Sequence, residues 1–506
     1  MTSPLPILLD ITVLAVGLIL LLWEAFADDR EKTFLGWFAI LGIGAAFAFS
    51  FFVKPYDFSD MPQLAQFYSG DALAIFYKRF ALGATLIVLI MAVEFRPLLA
   101  KAIPGVGQNA GTGEFFAIPV LTCLGLMWMA SAVDFIMIFV SLELVTISFY
   151  ILVSYMRRNA FSLEAGVKYL ILGAFSTGFL VYGITWIFGI TGQTNLHRIA
   201  EVVAVLPPEQ HVPLLFGMAL VLVGLGFKVA AVPFQLWIPD VYQGAPTPIT
   251  AFLSVGSKAA GFIVLLRVIE PFLASPVIGA KLLAVLGGIA LLTLLYGNLA
   301  AMPQDNLKRL LAYSSIAHAG YLLMAVASWR NGTVAVTVSY YLAGYLLMTL
   351  LAFLVMVVLN KAVGGDALSD FNGLGQRSPI LAFGMLMAML SLAGIPFTAG
   401  FLGKFMVFRD AIAQQHWALV VVGVLTVGAG FYYYLKVVRA MYWNAPSDAS
   451  AITTTPLVKT TIGVLVALII VLGVYPQPIF KMLRQPVPSA KPVASLTSTP
   501  TVAKHF

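Results

Sequence analysis

From Leu5 to Tyr475 the chain consists almost entirely of apolar runs about as long as a bilayer is thick, parted by short stretches of Pro, Gly and charge. A crossing needs about 20 apolar residues. In lipid the backbone of such a run must satisfy its own hydrogen bonds, and no period-two barrel pattern appears, so the runs have to be helices. Their limits predict spans at 5–26, 34–53, 75–95, 114–131, 133–156, 166–190, 213–236, 248–270, 277–300, 310–328, 333–360, 379–412 (interrupted), 417–443 and 457–475. The expected fold is an all-α polytopic membrane protein of about 14 transmembrane helices. Only 10% of the 506 residues are charged, against roughly 25% in a soluble domain, and no stretch is left over for one. The first run lacks a basic leader and a small-residue cleavage site, so it is read as a retained helix.

One cysteine, Cys123, excludes a disulfide framework, a cysteine-ligated iron–sulfur cluster and a CxxC redox pair. Electron transfer, a metal site and a bound cofactor are therefore not expected here. The net charge of +7 is read as a topology signal beside spans, not as a nucleic-acid surface. Basic residues favour the odd-numbered loops, among them Arg30, Lys32, Arg157, Arg158, Lys308 and Arg309. Fewer fall in the even loops and their margins, where Lys54, Lys78, Arg79, Arg267 and Arg409 lie, with Lys491 and Lys504 in the tail. That bias places both termini outside. The tail after Tyr475 reads as a flexible terminus.

Some titratable groups do not sort into loops. Lys228, Lys258 and Lys404 lie deep in apolar runs, where a charge costs several kcal/mol and persists only facing a bundle interior, a partner or water. Lys168 is near enough to a helix end to snorkel. Lys228 precedes Pro233, and Lys404 follows Pro396; proline breaks a helix, so each lysine adjoins a break. Two interrupted spans at corresponding places in two halves point to a transport path. Glu143, in SLELVTISFY, is the natural partner of Lys228. The two form either a static ion pair or a switch in which separating the charges lets the lysine release its proton. Lys258 lies among Ser254, Ser257 and Gly261, bonded to freed carbonyls or beside water; His318, near Ser314, Ser315 and Tyr321, is packing or a relay. Glu143, Lys228, Lys258, His318 and Lys404 thus form a candidate proton path. Glu24, Glu94 and Asp134 are expected to be solvated at span ends, and Asp240 with the turn YQGAPTPIT to shape the entry to the eighth span. No P-loop, HExxH or GxSxG motif appears.

The stretches SLELVTISFY, GFKVAAVPFQLWIPDVYQGAPTPITAFLS, SVGSKAAGF, AYSSIAHAGY and GIPFTAGFLGKF resemble the antiporter-like membrane subunits of proton-pumping NADH:quinone oxidoreductase (complex I), most closely the N type. The motifs run from about 114 to 443. The resemblance implies two inverted five-helix repeats, 114–270 and 277–443, with broken helices 7 and 12 at Pro233 and Pro396, after three N-terminal helices in 1–113 and before a last helix and tail in 444–506. It implies that Glu143 and Lys228 are the switch pair, Lys258 the connecting lysine and Lys404 the terminal group. Lys404 where M-type subunits carry glutamate, Lys258 where L and M types carry histidine, and the lack of a long lateral helix favour N. It further implies a bacterial inner membrane, both termini periplasmic, the M, K and J subunits and membrane lipids as neighbours, and NADH, FMN, iron–sulfur clusters and quinone held elsewhere in the complex. A cation/proton antiporter or membrane-bound hydrogenase subunit, a stand-alone solute transporter and a non-pumping scaffold are the competing readings.

Overall fold

The computed structural model describes residues 5–28, 31–103, 112–330, 332–446 and 450–484. Among these residues there are helices and isolated bridges but no strand. The long helices are α1 (Ile7–Phe26), α2 (Lys32–Ser50), α3 (Ala72–Ala102), α4 (Glu114–Ser131), α5 (Phe135–Val153), α6 (Ala160–Thr191), α7 (His211–Val229), α8 (Thr247–Ala274), α9 (Pro276–Ala301), α10 (Leu307–Ala327), α11 (Val334–Val363), α12 (Pro379–Ala393), α13 (Ala399–Ala413), α14 (Trp417–Trp443) and α15 (Pro456–Val474). Thirteen of the described helices are long and apolar enough to cross a membrane; α12 and α13, at 15 residues each, are not. Local chemistry starts many of them, for instance Asp71 accepting from Ala74 N at 2.7 Å, Asp134 from Ile136 N at 2.8 Å and Asn306 from Arg309 N at 3.0 Å.

Lipid tails are as apolar as the side chains they touch, so packing comes from close approach at small residues. Gly183 of α6 lies against the backbone of Val221 on α7, and Gly297 of α9 against the backbone of Ala317 on α10, where any added methyl would overlap the neighbouring chain. The result is layered. The central stretches of α8 and α10 are wholly enclosed by protein, and that of α11 nearly so, whereas α6 and α15 turn most of their surface outward.

Several expected boundaries move. The seventh helix stops at Val229 instead of running to 236, because Ala230 takes a left-handed conformation (φ 72°) and Pro233 follows. The twelfth span divides at Gly394 (φ 91°) two residues before Pro396. α3 continues through Pro97 to Ala102. A short helix, Leu196–Ala204, was not expected from hydropathy, and the segment after Tyr475 begins with a helix, Gln477–Leu483, instead of a flexible tail. The rest of that tail, with Lys491 and Lys504, and the loop residue Arg30 lie outside the described residues.

The acids expected in solvent are buried and satisfied. Glu24 pairs with Lys32 at 2.7 Å, Glu94 with Lys361 at 3.1 Å, and Asp134 accepts from Thr194 at 2.7 Å. Basic residues assigned to loops also turn inward: Lys308 is buried against Asp366 (3.3 Å), Arg267 reaches Asp71 (3.0 Å), and Arg79 holds carbonyls at the end of α2. The farthest departure is Lys78, fully buried on α3, whose ammonium is 2.6 Å from Asp10 of α1 with the Tyr68 hydroxyl alongside. Burying the ion pairs this way is tolerable because each partner neutralises the other.

Candidate buried proton path

Glu143 and Lys228 are carried by α5 and α7. Their side chains do not form an ion pair. The Glu143 carboxylate is half-buried and accepts from Thr177 of α6 at 3.0 Å, while the Lys228 ammonium, 6% exposed, donates to Thr146, one helical turn along α5 from Glu143. Thr146 in turn donates to the Leu142 carbonyl at 2.6 Å. The expected pair is therefore open, each member held by a different threonine hydroxyl.

The next group sits behind a distorted turn. Leu253–Ser257 of α8 is π-helical, a widening that often marks functional sites, and Lys258 follows it. Its ammonium, 2% exposed, donates to both the carbonyl and the hydroxyl of Ser315 on α10 and lies 5.1 Å from the centre of the Tyr345 ring. The carbonyl it caps belongs to α10, not to the broken seventh helix. Gly261, one turn on, packs against the stem of Lys228, so the two lysines approach the same α7–α8 contact.

Ser314, the residue before Ser315 in the chain, belongs to a second cluster and bonds the Tyr434 hydroxyl of α14. That hydroxyl lies 3.1 Å from His318 Nε2, and Tyr341 of α11 lies 2.7 Å from His318 Nδ1. Both ring nitrogens are thus engaged by hydroxyls able to donate or accept. Tyr242 closes the other side of Ser315 at 3.1 Å. Lys404 of α13, 6% exposed, donates to the Leu392 and Ala393 carbonyls at 2.9 Å each and lies 5.2 Å from the Tyr321 ring centre. These are the last carbonyls of α12, which lack partners within their own helix.

The two breaks are closed differently. At the first, the freed Gly226 and Phe227 carbonyls are taken by Ala231 N (2.9 Å) and Trp237 Nε1 (3.1 Å), which leaves Lys228 to the hydroxyl. At the second, lysine itself is the cap. Thr146, Thr177, Tyr341 and Tyr434 were not picked out from sequence, although Thr146 stands three residues from Glu143 and Tyr434 ends the run FYYY. Asp410 was also missed: it is 1% exposed and accepts from Thr337 at 2.6 Å beside Arg409 at 2.7 Å. Among the described residues no three His, Cys, Asp or Glu side chains are placed to hold a metal ion.

Enclosed lysines and a histidine held by hydroxyls and freed carbonyls, in a bundle with two broken helices, define a membrane protein that keeps titratable groups away from lipid. Residues 132–430 match the family described as "NADH:quinone oxidoreductase/Mrp antiporter, TM", and the chain belongs to that family. It is similar to NADH-quinone oxidoreductase subunit N of Trichlorobacter lovleyi, 39% identical over 485 residues that cover 94% of this chain and 96% of that one. The subunit N of Moorella thermoacetica is 37% identical over 471 residues, covering 93% and 95%. Among solved structures, a chain of respiratory complex I from Thermus thermophilus with bound aureothin superposes with a TM-score of 0.77 at 30% identity over 94% of this chain and 98% of that chain. A chain of the Mrp complex from a Dietzia species shares the fold, with a TM-score of 0.78 at 18% identity over 94% and 95%.

Proposed function

We propose that this chain is an N-type membrane subunit of an NADH:quinone oxidoreductase and moves protons through Glu143, Lys228, Lys258, His318 and Lys404, driven by quinone reduction elsewhere in the complex. The observation that carries the reading is a pair of buried hydroxyl clusters on adjacent residues of α10, Lys258 on Ser315 and His318 on Tyr434 with Ser314, enclosed by α8, α10 and α11. A static scaffold has no need of titratable groups held by exchangeable hydroxyls on both sides of one helix; a proton relay does.

In this reading Thr177 and Thr146 hold Glu143 and Lys228 apart, and closing the pair draws the carboxylate toward the ammonium. At about 4 Å and an effective dielectric near 20, the gain is about 4 kcal/mol, enough to move a proton affinity by a few pKa units. Opening it again favours proton transfer from Lys228 toward Lys258. Two equivalent repeats, 114–270 and 277–443, are supported by a shared device: Asp134 at the start of α5 bridges Asn195, and Asn306 at the start of α10 bridges Ala367. The left-handed caps at Ala230 and Gly394 before Pro233 and Pro396 support the same pairing.

NADH, FMN, iron–sulfur clusters and quinone would then be handled by other subunits, and neighbours of the M, K and J types would flank this chain in a bacterial inner membrane with both termini periplasmic. The test is quinone reductase activity and proton pumping of assembled complex carrying Lys228→Ala or Glu143→Ala, with Lys281→Ala on the exposed face of α9 as control. Turnover and pumping that fall together in intact complex support the reading; normal values in both variants overturn it.

A further inference from the structure

A groove of about 470 Å³ runs between α2, α3, α11 and α15. Its walls are apolar side chains such as Phe47, Leu86, Leu347 and Leu468, with Arg79 the charged lining residue, one turn after Phe76 on α3. Arg79 is 8% exposed; its Nε and Nη2 reach the Ser50 carbonyl at 3.2 and 2.9 Å, Nη2 reaches the Val53 carbonyl at 3.1 Å, and the Phe51 ring lies 5.1 Å away. Those acceptors orient the guanidinium but leave its charge standing. The contrast with the preceding residue is direct, because Lys78 is neutralised by Asp10. A buried cation without a counter-carboxylate, aimed into an apolar slot, lacks an anion.

The dimensions restrict what that anion can be. Arg79 and Ile90 both line the slot and stand 11 residues apart on α3, about 16 Å at 1.5 Å per residue. That is about half of a hydrocarbon core ~30 Å thick, the depth filled by the tail of one leaflet. Gly83 keeps the wall thin between these ends. Lys54, next to Val53, and Lys481, next to the lining residue Met482, are exposed and flank the charged end. The geometry points to a built site for one anionic phospholipid, an acyl chain in the groove and the phosphate on Arg79. Nη1, the guanidinium nitrogen left without a carbonyl acceptor, supplies the charge-assisted donor for one phosphate oxygen. This assignment is independent of the proton path.

The experiment reconstitutes the assembled complex in phosphatidylcholine vesicles holding spin-labelled phosphatidylglycerol or, separately, spin-labelled phosphatidylcholine, and reads the motionally restricted label. Wild type is expected to restrict the phosphatidylglycerol label preferentially. Arg79→Gln lowers that preference about tenfold, as loss of a charge-assisted bond implies. Gly83→Leu, which leaves Arg79 and its carbonyls in place, removes the restricted fraction for both labels and guards against misfolding as the cause. An unchanged preference in Arg79→Gln overturns the proposal. So does a restricted fraction that arises only when residues 485–506 are deleted, since the tail is then the occupant. Crosslinking of a benzophenone at position 468 to a neighbouring subunit instead of lipid overturns it as well.

Discussion

The Lys404 ammonium lies 2.9 Å from the carbonyl oxygen of Ala393, across the gap between two half-helices, and holds the Leu392 carbonyl equally closely. It therefore serves as the C-cap of α12, where a cation also meets the negative end of the helix dipole. Lys404→Met strands two buried carbonyls, each costing about 1–3 kcal/mol. The complex is expected to melt several degrees lower, and Lys404→Arg to restore the melt. If the arginine variant restores stability while pumping stays low, the lysine is needed for proton exchange as well as for capping; recovery of both leaves it a cap alone.

Thr146 is the hydroxyl that occupies Lys228 in place of Glu143. Thr146→Val keeps its shape and removes the bond. Turnover and pumping are expected to fall about tenfold, matching the loss of one hydrogen bond of ~1.4 kcal/mol to a charged group. Adding Glu143→Gln should then cause little further loss, because both changes act on one lysine. Additive losses in the double-mutant cycle would separate the two residues.

Gly297 sets the position of His318 indirectly. A methyl at 297 would overlap the backbone of Ala317, the residue before the histidine. Gly297→Ala is expected to destabilise by about 1–3 kcal/mol through overpacking, visible in thermal unfolding. Its effect on pumping should exceed that of Gly428→Ala, a position with open space around it.

Asp10 and Lys78 form a buried pair, so removing one member is worse than removing both. Lys78→Met is expected to cost about 3–5 kcal/mol and the double change with Asp10→Asn much less. Detergent-induced unfolding of the assembled complex reads the difference. Equal losses would mean that the pair is not coupled.

Asp240 joins three elements, with Lys168 of α6 at 2.7 Å and Arg309 of α10 at 2.8 Å. Burial pushes its carboxyl up, but the bonds from Lys168 and Arg309 outweigh this and hold it below the usual carboxylate range. A carboxyl lowered in the folded state stabilises above its unfolded value, about 4, and loses that contribution as the pH falls through the folded value. Acid stability should therefore decline below about pH 4 in the wild type and less so in Asp240→Asn. The side chain is 37% exposed, so the amplitude should stay below about 1 kcal/mol.

The spans were legible because an apolar run in lipid has one structural solution, and Pro233 and Pro396 announced the breaks. What hydropathy could not separate was a basic residue lodged near a span end from one exposed there: Lys78, Arg79 and Lys308 occupy such margins, and only the fold supplies Asp10, the α2 carbonyls and Asp366. The path residues could be picked out because charge is rare in these runs. Their order and linkage could not, since Thr146 and Tyr434 belong to residue types common in membrane helices and matter only through what faces them. Glu143 and Lys228 stand open for the same reason: sequence places both acid and base at depth but does not show that Thr177 and Thr146 hold them.

The enclosure of α8 and α10 divides the chain into two mutational regimes. On the outward faces of α6 and α15, exchange among leucine, isoleucine, valine and phenylalanine meets only fluid tails and should be close to neutral. Inside α8 and α10 a single methylene has nowhere to go and a charge cannot snorkel, so drift there must proceed by paired changes. Homologues are thus expected to diverge fastest at the rim and to retain the shape of the centre long after overall identity has decayed.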